Sequence, residues 1–213
     1  MSEKDERASR WAREQERPRR PERKVECVWV VDVESTCWMG PPPVGEVSEI
    51  IQVGLVRLDV KSLAFGDKRL WWVKPARSTV SGFCTRLTEI TQADVDREGR
   101  PLEVVCEEIV KEVSAGGEAP WMSYGDYDRR MFERNCRDLK TRYPFGGRHG
   151  NVKTLIAAAM GWGVEVGLGV ALERLGFSFE GRKHQADDDA WNVARVVAEL
   201  FQRCRAGGRE TIV

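Results

Sequence analysis

Residues 25–33 read V-E-C-V-W-V-V-D-V, a short run dominated by β-branched residues with no polar alternation until its end. A strand that faced water on one side would alternate, so this one is expected to lie buried on both faces, in the middle of a sheet covered by other layers. That demand excludes a small open sheet and points to an α/β architecture. The same run carries two acids at its far end, Asp32 and Glu34.

The rest of the chain fits this frame. After a Gly-Pro loop at 40–45, residues 50–59 predict a second strand and 67–75 a third, spaced as neighbours in an antiparallel meander. From Leu102 the apolar residues recur at three- and four-residue intervals through Val113, and Gly116-Gly117 ends the helix. A short strand at 121–124, a helix over 128–142, an extended piece near Asn151-Val152, helices over 153–159 and 167–175, and a final helix over 187–205 follow. Three strands and then alternating helices and strands imply a mixed sheet flanked by helices.

Composition narrows the function classes. The 213 residues carry 34 basic and 34 acidic side chains and are 41% hydrophobic, which excludes a disordered chain and a polycation that coats nucleic acid. The balance is uneven, since residues 1–24 sum to +3 and the remainder to −3. The first 24 residues are nearly devoid of apolar side chains and are expected to form a disordered basic arm, followed by one domain over 25–205 and a short tail over 206–213. No apolar run reaches the ~20 residues of a membrane span, and no export signal is visible, so a cytoplasmic location is expected, with a nuclear one open in a eukaryote. The six scattered cysteines contain no C-x-x-C pair and are expected to be buried free thiols.

Four acids stand out because folding alone does not require them. Asp32 and Glu34 are two apart on a strand, so both carboxylates face the same way, where they repel unless a cation lies between them. Asp128 precedes an apolar stripe of Phe132, Cys136 and Leu139, and Asp189 one of Val193, Val196, Val197 and Leu200. Each therefore faces the core from the first turn of its helix, whereas Asp187 and Asp188 lie off the stripe and act as ordinary N-terminal acids. Oxygen-only donors select Mg²⁺, with Mn²⁺ as a substitute, over zinc. Four carboxylates suit two ions ~3.5–4 Å apart, the arrangement that clamps both oxygens of a phosphodiester displacement. His184, five residues before Asp189, is expected in the loop entering the last helix, free to act as general base. His149 has no such context and is expected to be structural.

The segments V-V-D-V-E-S-T-C-W (30–38), S-E-I-I-Q-V-G-L-V (48–56), F-C-T-R-L-T-E-I-T (83–91), S-Y-G-D-Y-D-R-R-M-F (123–132) and H-Q-A-D-D-D-A-W-N-V-A-R-V (184–196) occur in the order found in the DEDDh 3′ to 5′ exonucleases. The chain resembles that family over about residues 26–203, most closely the branch of the histone-mRNA 3′ exonuclease and the RNAi-enhancing exonucleases. The resemblance implies a ribonuclease H-like sheet, metal binding at Asp32, Glu34, Asp128 and Asp189, and His184 as base. It places the catalytic acid at Asp128, after an aromatic residue and four before Phe132, rather than at Asp126. It also implies an RNA partner, single-stranded or with a 3′ overhang, and release of nucleoside 5′-monophosphates. Glu89 departs from the pattern, because relatives often carry glycine there.

Single strands are held by aromatic stacking and by cations on phosphates. Trp38 and Phe83 are the stacking candidates, and Arg129, Arg130, Arg182 and Lys183 the phosphate contacts; Trp29, Trp71, Trp72 and Trp191 are assigned to the core. The glycines at 161, 163, 167 and 169 read as a turn, and the final Glu210-Thr211-Ile212-Val213 resembles a PDZ-binding tail only in a short, common pattern. Two alternatives stay open from the residues: the same chemistry on DNA 3′ ends, and a non-catalytic RNA-binding adaptor.

Overall fold

The computed structural model describes residues 24–207 except 115 and 118. The expectations for the basic arm and the C-terminal tail fall outside that range, apart from Lys24, Ala206 and Gly207. Five strands form one sheet: β1 (Cys27–Ser35), β2 (Ile50–Asp59), β3 (Arg69–Trp72), β4 (Trp121–Ser123) and β5 (His149–Asn151). Their spatial order is β3-β2-β1-β4-β5. The first three pair antiparallel, and β4 and β5 add parallel to β1. Among the described residues seven helices flank it: α1 (Gly82–Thr88), α2 (Gln92–Glu98), α3 (Leu102–Ser114), α4 (Tyr127–Asp138), α5 (Val152–Ala159), α6 (Leu168–Arg174) and α7 (Ala186–Gly207). This is a ribonuclease H-like fold, and none of these helices is long and apolar enough to cross a membrane.

The apolar run of β1 is central and buried on both faces. Cys27, Trp29, Val31 and Val33 join the core that packs α3 and α4, through Leu102, Val105, Ile109, Met131 and Phe132. Val28 and Val30 enter the opposite core, with Val152, Ile156, Leu172, Val193 and Val197 from α5, α6 and α7. Asp32 and Glu34 continue the second row by strand alternation, so both carboxylates emerge on the α7 side.

One glycine sets how close α7 comes. Gly54 on β2 is the register partner of Asp32. A Cβ built there would lie 1.9 Å from the carbonyl oxygen of Ala186, the first residue of α7. Ala186, Ala190 and Ala194 are fully buried along the same face of the helix. Small side chains on the helix and none on the strand let the two backbones meet.

Several boundaries differ from the sequence-based expectations. The first strand begins at Cys27 rather than 25 and runs on to Ser35, and β3 covers only four residues of the expected 67–75. Helix α4 stops at Asp138 rather than 142, because Lys140 adopts φ 53° and Thr141 returns its N–H to the Cys136 carbonyl at 2.9 Å. That closure normally uses glycine, so no residue type announced it. Two short helices were not anticipated. Ser81 caps α1 by accepting from Cys84 N, and Thr91 with Asp94 forms a capping box on α2. Cys204 is exposed and Cys37 half-buried, so not all six thiols are interior. Trp72 and Trp191 are only partly buried; the Trp191 indole N–H donates to Glu180 at 2.8 Å.

Candidate active site

The four acids come from three elements that meet beside β1. Asp32 and Glu34 lie half-buried at the end of the strand, and Asp128 is almost fully buried in the first turn of α4. Its Oδ1 accepts the backbone N–H of Val33 at 2.9 Å, which joins the helix start to the strand between the two β1 acids. Asp189 lies in the first turn of α7, positioned by the approach at Gly54.

The electrostatics are those of acids crowded out of water. Burial pushes the Asp32 carboxyl well above its ordinary range, with further upward pushes from Asp128, Asp189 and Glu34. Glu34 is pushed to about 8 by burial and then by Asp189 and Asp128. Asp128 rises to about 7, since burial outweighs the Val33 N–H and the Ser123 hydroxyl that favour its charged form. Asp189 rises to about 6 by burial, opposed by the backbone N–H of His184.

His184 stands outside the helix, as the five-residue offset required. It adopts φ 60°, and its backbone N–H donates to Asp189 Oδ2 at 2.7 Å. Its imidazole Nδ1 lies 3.9 Å from Glu34 Oε1, with about half the side chain exposed. One ligand-capable atom from each of Glu34, His184 and Asp189 falls within 4.8 Å of the others. Mutually repelling, recessed carboxylates fit a hard divalent cation, which would relieve both the repulsion and the desolvation.

The turn carrying His184 is tied to its surroundings by residues the sequence did not single out. Fully buried Gln52 accepts from Ala186 N at 3.4 Å, and Gln185 Nε2 donates to the Thr88 carbonyl at 3.2 Å. Tyr127, beside Asp128, shares a 2.5 Å hydrogen bond with the Ser35 hydroxyl. Glutamines and hydroxyls of this kind carry no spacing signal; only the pairing register of β1 with β2, which sets Glu34 opposite Gln52, would have pointed to the first.

The six candidate substrate contacts do not converge equally. Trp38 and Phe83 are half-buried, just beyond β1 and in α1. Arg182 is exposed, 3.8 Å from Glu89, and Lys183 Nζ lies 5.9 Å from the Phe179 ring centroid. Arg130 is exposed. Arg129 is engaged elsewhere, paired with Asp126 at 3.3 Å and Glu133 at 3.1 Å. It lines a cavity of about 520 Å³ together with Trp121, His149 and Asn151. His149 is structural in its contacts: it shares a 2.8 Å hydrogen bond with Ser123 and packs on Trp121 at 4.3 Å.

The chain is similar to known exonucleases in sequence and in fold. The family model described as Exonuclease, of the RNase T type, matches residues 29–197. Human 3′-5′ exoribonuclease 1 is 30% identical over 189 residues, covering 82% of this chain and 52% of the relative. The chain thus spans about half the length of the curated relatives it matches. The nuclease domain of 3′hExo, a DEDDh family member, bound to rAMP superposes with a TM-score of 0.76 at 27% identity, covering 84% of this chain and 93% of that one. A 3′-exonuclease engaged in 3′-end specific recognition of histone mRNA stem-loop gives 0.76 at 26% identity, covering 85% and 84%.

Proposed function

The chain belongs to the DEDDh exonucleases of the RNase T type, and from that premise we propose that it is a divalent-metal-dependent 3′ to 5′ exoribonuclease. The observation that carries this reading is the meeting of Asp32, Glu34, Asp128 and Asp189 with an accessible His184 beside Glu34. The four carboxylates would hold the metals, Mg²⁺ with Mn²⁺ as substitute. When bound, the two ions supply the positive charge that steadies the phosphodiester oxygens during in-line displacement.

The chain's own residues do the rest. His184, half-exposed and anchored through its backbone to Asp189, takes the proton of the attacking water. Its left-handed turn directs the ring across to Glu34 instead of along α7. Trp38 and Phe83 offer faces for terminal bases, and Arg130, Arg182 and Lys183 offer charge for the phosphates. Arg129 can contribute only by leaving Asp126 and Glu133. The products are a nucleoside 5′-monophosphate and an RNA shortened by one residue with a new 3′-hydroxyl. RNA is the substrate favoured over DNA, because curated relatives 28–30% identical to the chain are named as exoribonucleases.

The test is release of mononucleotide from single-stranded RNA and a matched DNA, with Mg²⁺ and with EDTA. The expected result is Mg²⁺-dependent release, faster from RNA. Undiminished activity in EDTA would overturn the metal mechanism. Tight binding without release would make the protein an adaptor, and faster release from DNA would reassign the substrate.

A further inference from the structure

The imidazole of His184 lies 3.9 Å from Glu34, beyond hydrogen-bond length, and is about half exposed. Its place beside the acids is therefore set by the backbone that carries it. That backbone is left-handed at φ 60°, and a single residue, Gln185, separates it from the start of α7 at Ala186. One anchor is the His184 N–H on Asp189 Oδ2. The accepting carboxylate is one of the four assigned to the metals, so anchor and cation draw on the same group.

A second anchor runs through the half-buried side chain of Gln185. Helix α1 ends at a left-handed Glu89, φ 62°, whose N–H returns to the Thr85 carbonyl. The last carbonyls of a helix have no donor within it, and Gln185 Nε2 supplies one to Thr88 at 3.2 Å. The same Nε2 lies 3.5 Å from the His184 carbonyl. Gln185 Oε1 accepts from Gln52 Nε2 at 3.5 Å, and Gln52 Oε1 accepts the Ala186 N–H, an orphan donor at the start of α7, at 3.4 Å. Gln52 is fully buried and lies opposite Glu34 in the β1–β2 register. Two glutamines in contact thus tie the end of α1, the start of α7 and the strand beside Glu34 together, one residue from the imidazole. Neither glutamine titrates, and neither is among the acids assigned to the metals.

We propose that Gln185 is a positioning residue for the reaction: it acts through His184, holding the base in register with Glu34 and with α1 by contacts independent of the metal-facing carboxylates. This rests on the exonuclease reading above. A displacement of about 1 Å at a reacting group costs up to ~100-fold in rate. Loss of this anchor therefore lowers kcat by roughly 10- to 100-fold, while KM and metal affinity, which do not depend on the imidazole, are retained.

The test measures kcat and KM for nucleotide release from 3′-labelled single-stranded RNA, with Mn²⁺ affinity by calorimetry and folding by thermal melts. The proteins are the unsubstituted chain, Gln185→Met, Gln185→Ala, His184→Ala, and each Gln185 substitution combined with His184→Ala. Methionine keeps the reach of glutamine and removes its hydrogen bonds; alanine removes the side chain, so a fault in packing methionine is recognised. Each Gln185 variant is expected to stay folded and to lose roughly 10- to 100-fold in kcat, with KM and Mn²⁺ affinity unchanged. In the His184→Ala background the same substitutions should cost almost nothing further, because groups that act as a unit are not additive. An equal loss in both backgrounds would mean that Gln185 acts independently of His184, and would overturn the proposal. An unchanged kcat in Gln185→Met and Gln185→Ala would do the same, as would a fall in Mn²⁺ affinity that matches the fall in rate. If the unsubstituted protein releases no nucleotide, the exonuclease reading itself fails and the proposal falls with it.

Discussion

Val33 donates its backbone N–H to the Asp128 carboxylate at 2.9 Å, joining residues 95 apart in the chain. Asp128 therefore has two duties that substitution can separate. Asp128→Asn retains an oxygen to accept from Val33 and removes the charge; Asp128→Ala leaves a buried N–H without a partner. Asp128→Ala should lose about 1–3 kcal/mol in urea unfolding, and Asp128→Asn should lose little while being equally inactive. Equal destabilisation by both would mean that the charge, not the hydrogen bond, joins α4 to the sheet.

The raised acids make a prediction about pH. Glu34, Asp128 and Asp189 titrate near 8, 7 and 6 when folded, against about 4 in an unfolded chain. A carboxyl raised on folding contributes stability that is complete below its unfolded pKa and is lost as pH climbs through its folded pKa. The metal-free protein should lose stability between pH 5 and 8.5, by ~5 °C or more at ~2–4 °C per kcal/mol for a domain of this size. Mg²⁺ or Mn²⁺ should restore it, most strongly at the alkaline end. Thermal melts that are flat in pH, or insensitive to Mn²⁺ at pH 8, would contradict the site.

His184 lies close enough to Glu34 and Asp189 to be mistaken for a ligand. As a base its loss should lower kcat by roughly 10²–10⁴ and leave both the melting temperature and Mn²⁺ affinity by calorimetry nearly unchanged. A tenfold loss of Mn²⁺ affinity in His184→Ala would reassign it as a ligand.

Gly54→Ala should impair the enzyme without altering any reactive group. The added methyl collides with the Ala186 carbonyl, so α7 must shift outward or the sheet must give, at ~1–3 kcal/mol or more. Displacing Asp189 by about 1 Å is expected to cost up to ~100-fold in rate. A variant with unchanged stability and activity would show that the helix start is compliant.

The acids were legible because each violates an expectation of folding: two like charges on one face of a buried strand, and two acids on the inward side of their helices. The central strand was equally plain from its β-branched density. What could not be read was relational. The engagement of Arg129 by Asp126 and Glu133 depends on side chains whose i+4 and i−3 neighbours are visible but whose rotamers are not. The end of α4 at Lys140 and the left-handed Glu89 use backbone states that neither residue type advertises. Gly54 was one glycine among 20, and only the packing of α7 marks it out.

The even-numbered row of β1 runs from Val28 and Val30 into Asp32 and Glu34 with no intervening layer. Hydrocarbon and carboxylate oxygen are thus neighbours on one ribbon, and the frontier between them is a single residue wide. The dry side of that frontier sets the dielectric in which the carboxylates act. A substitution that let water in behind Val30, leaving every polar group in place, would draw the Asp32 and Glu34 carboxyl groups back toward their ordinary range. The aliphatic residues beneath the acids are in that sense part of the acids' solvent.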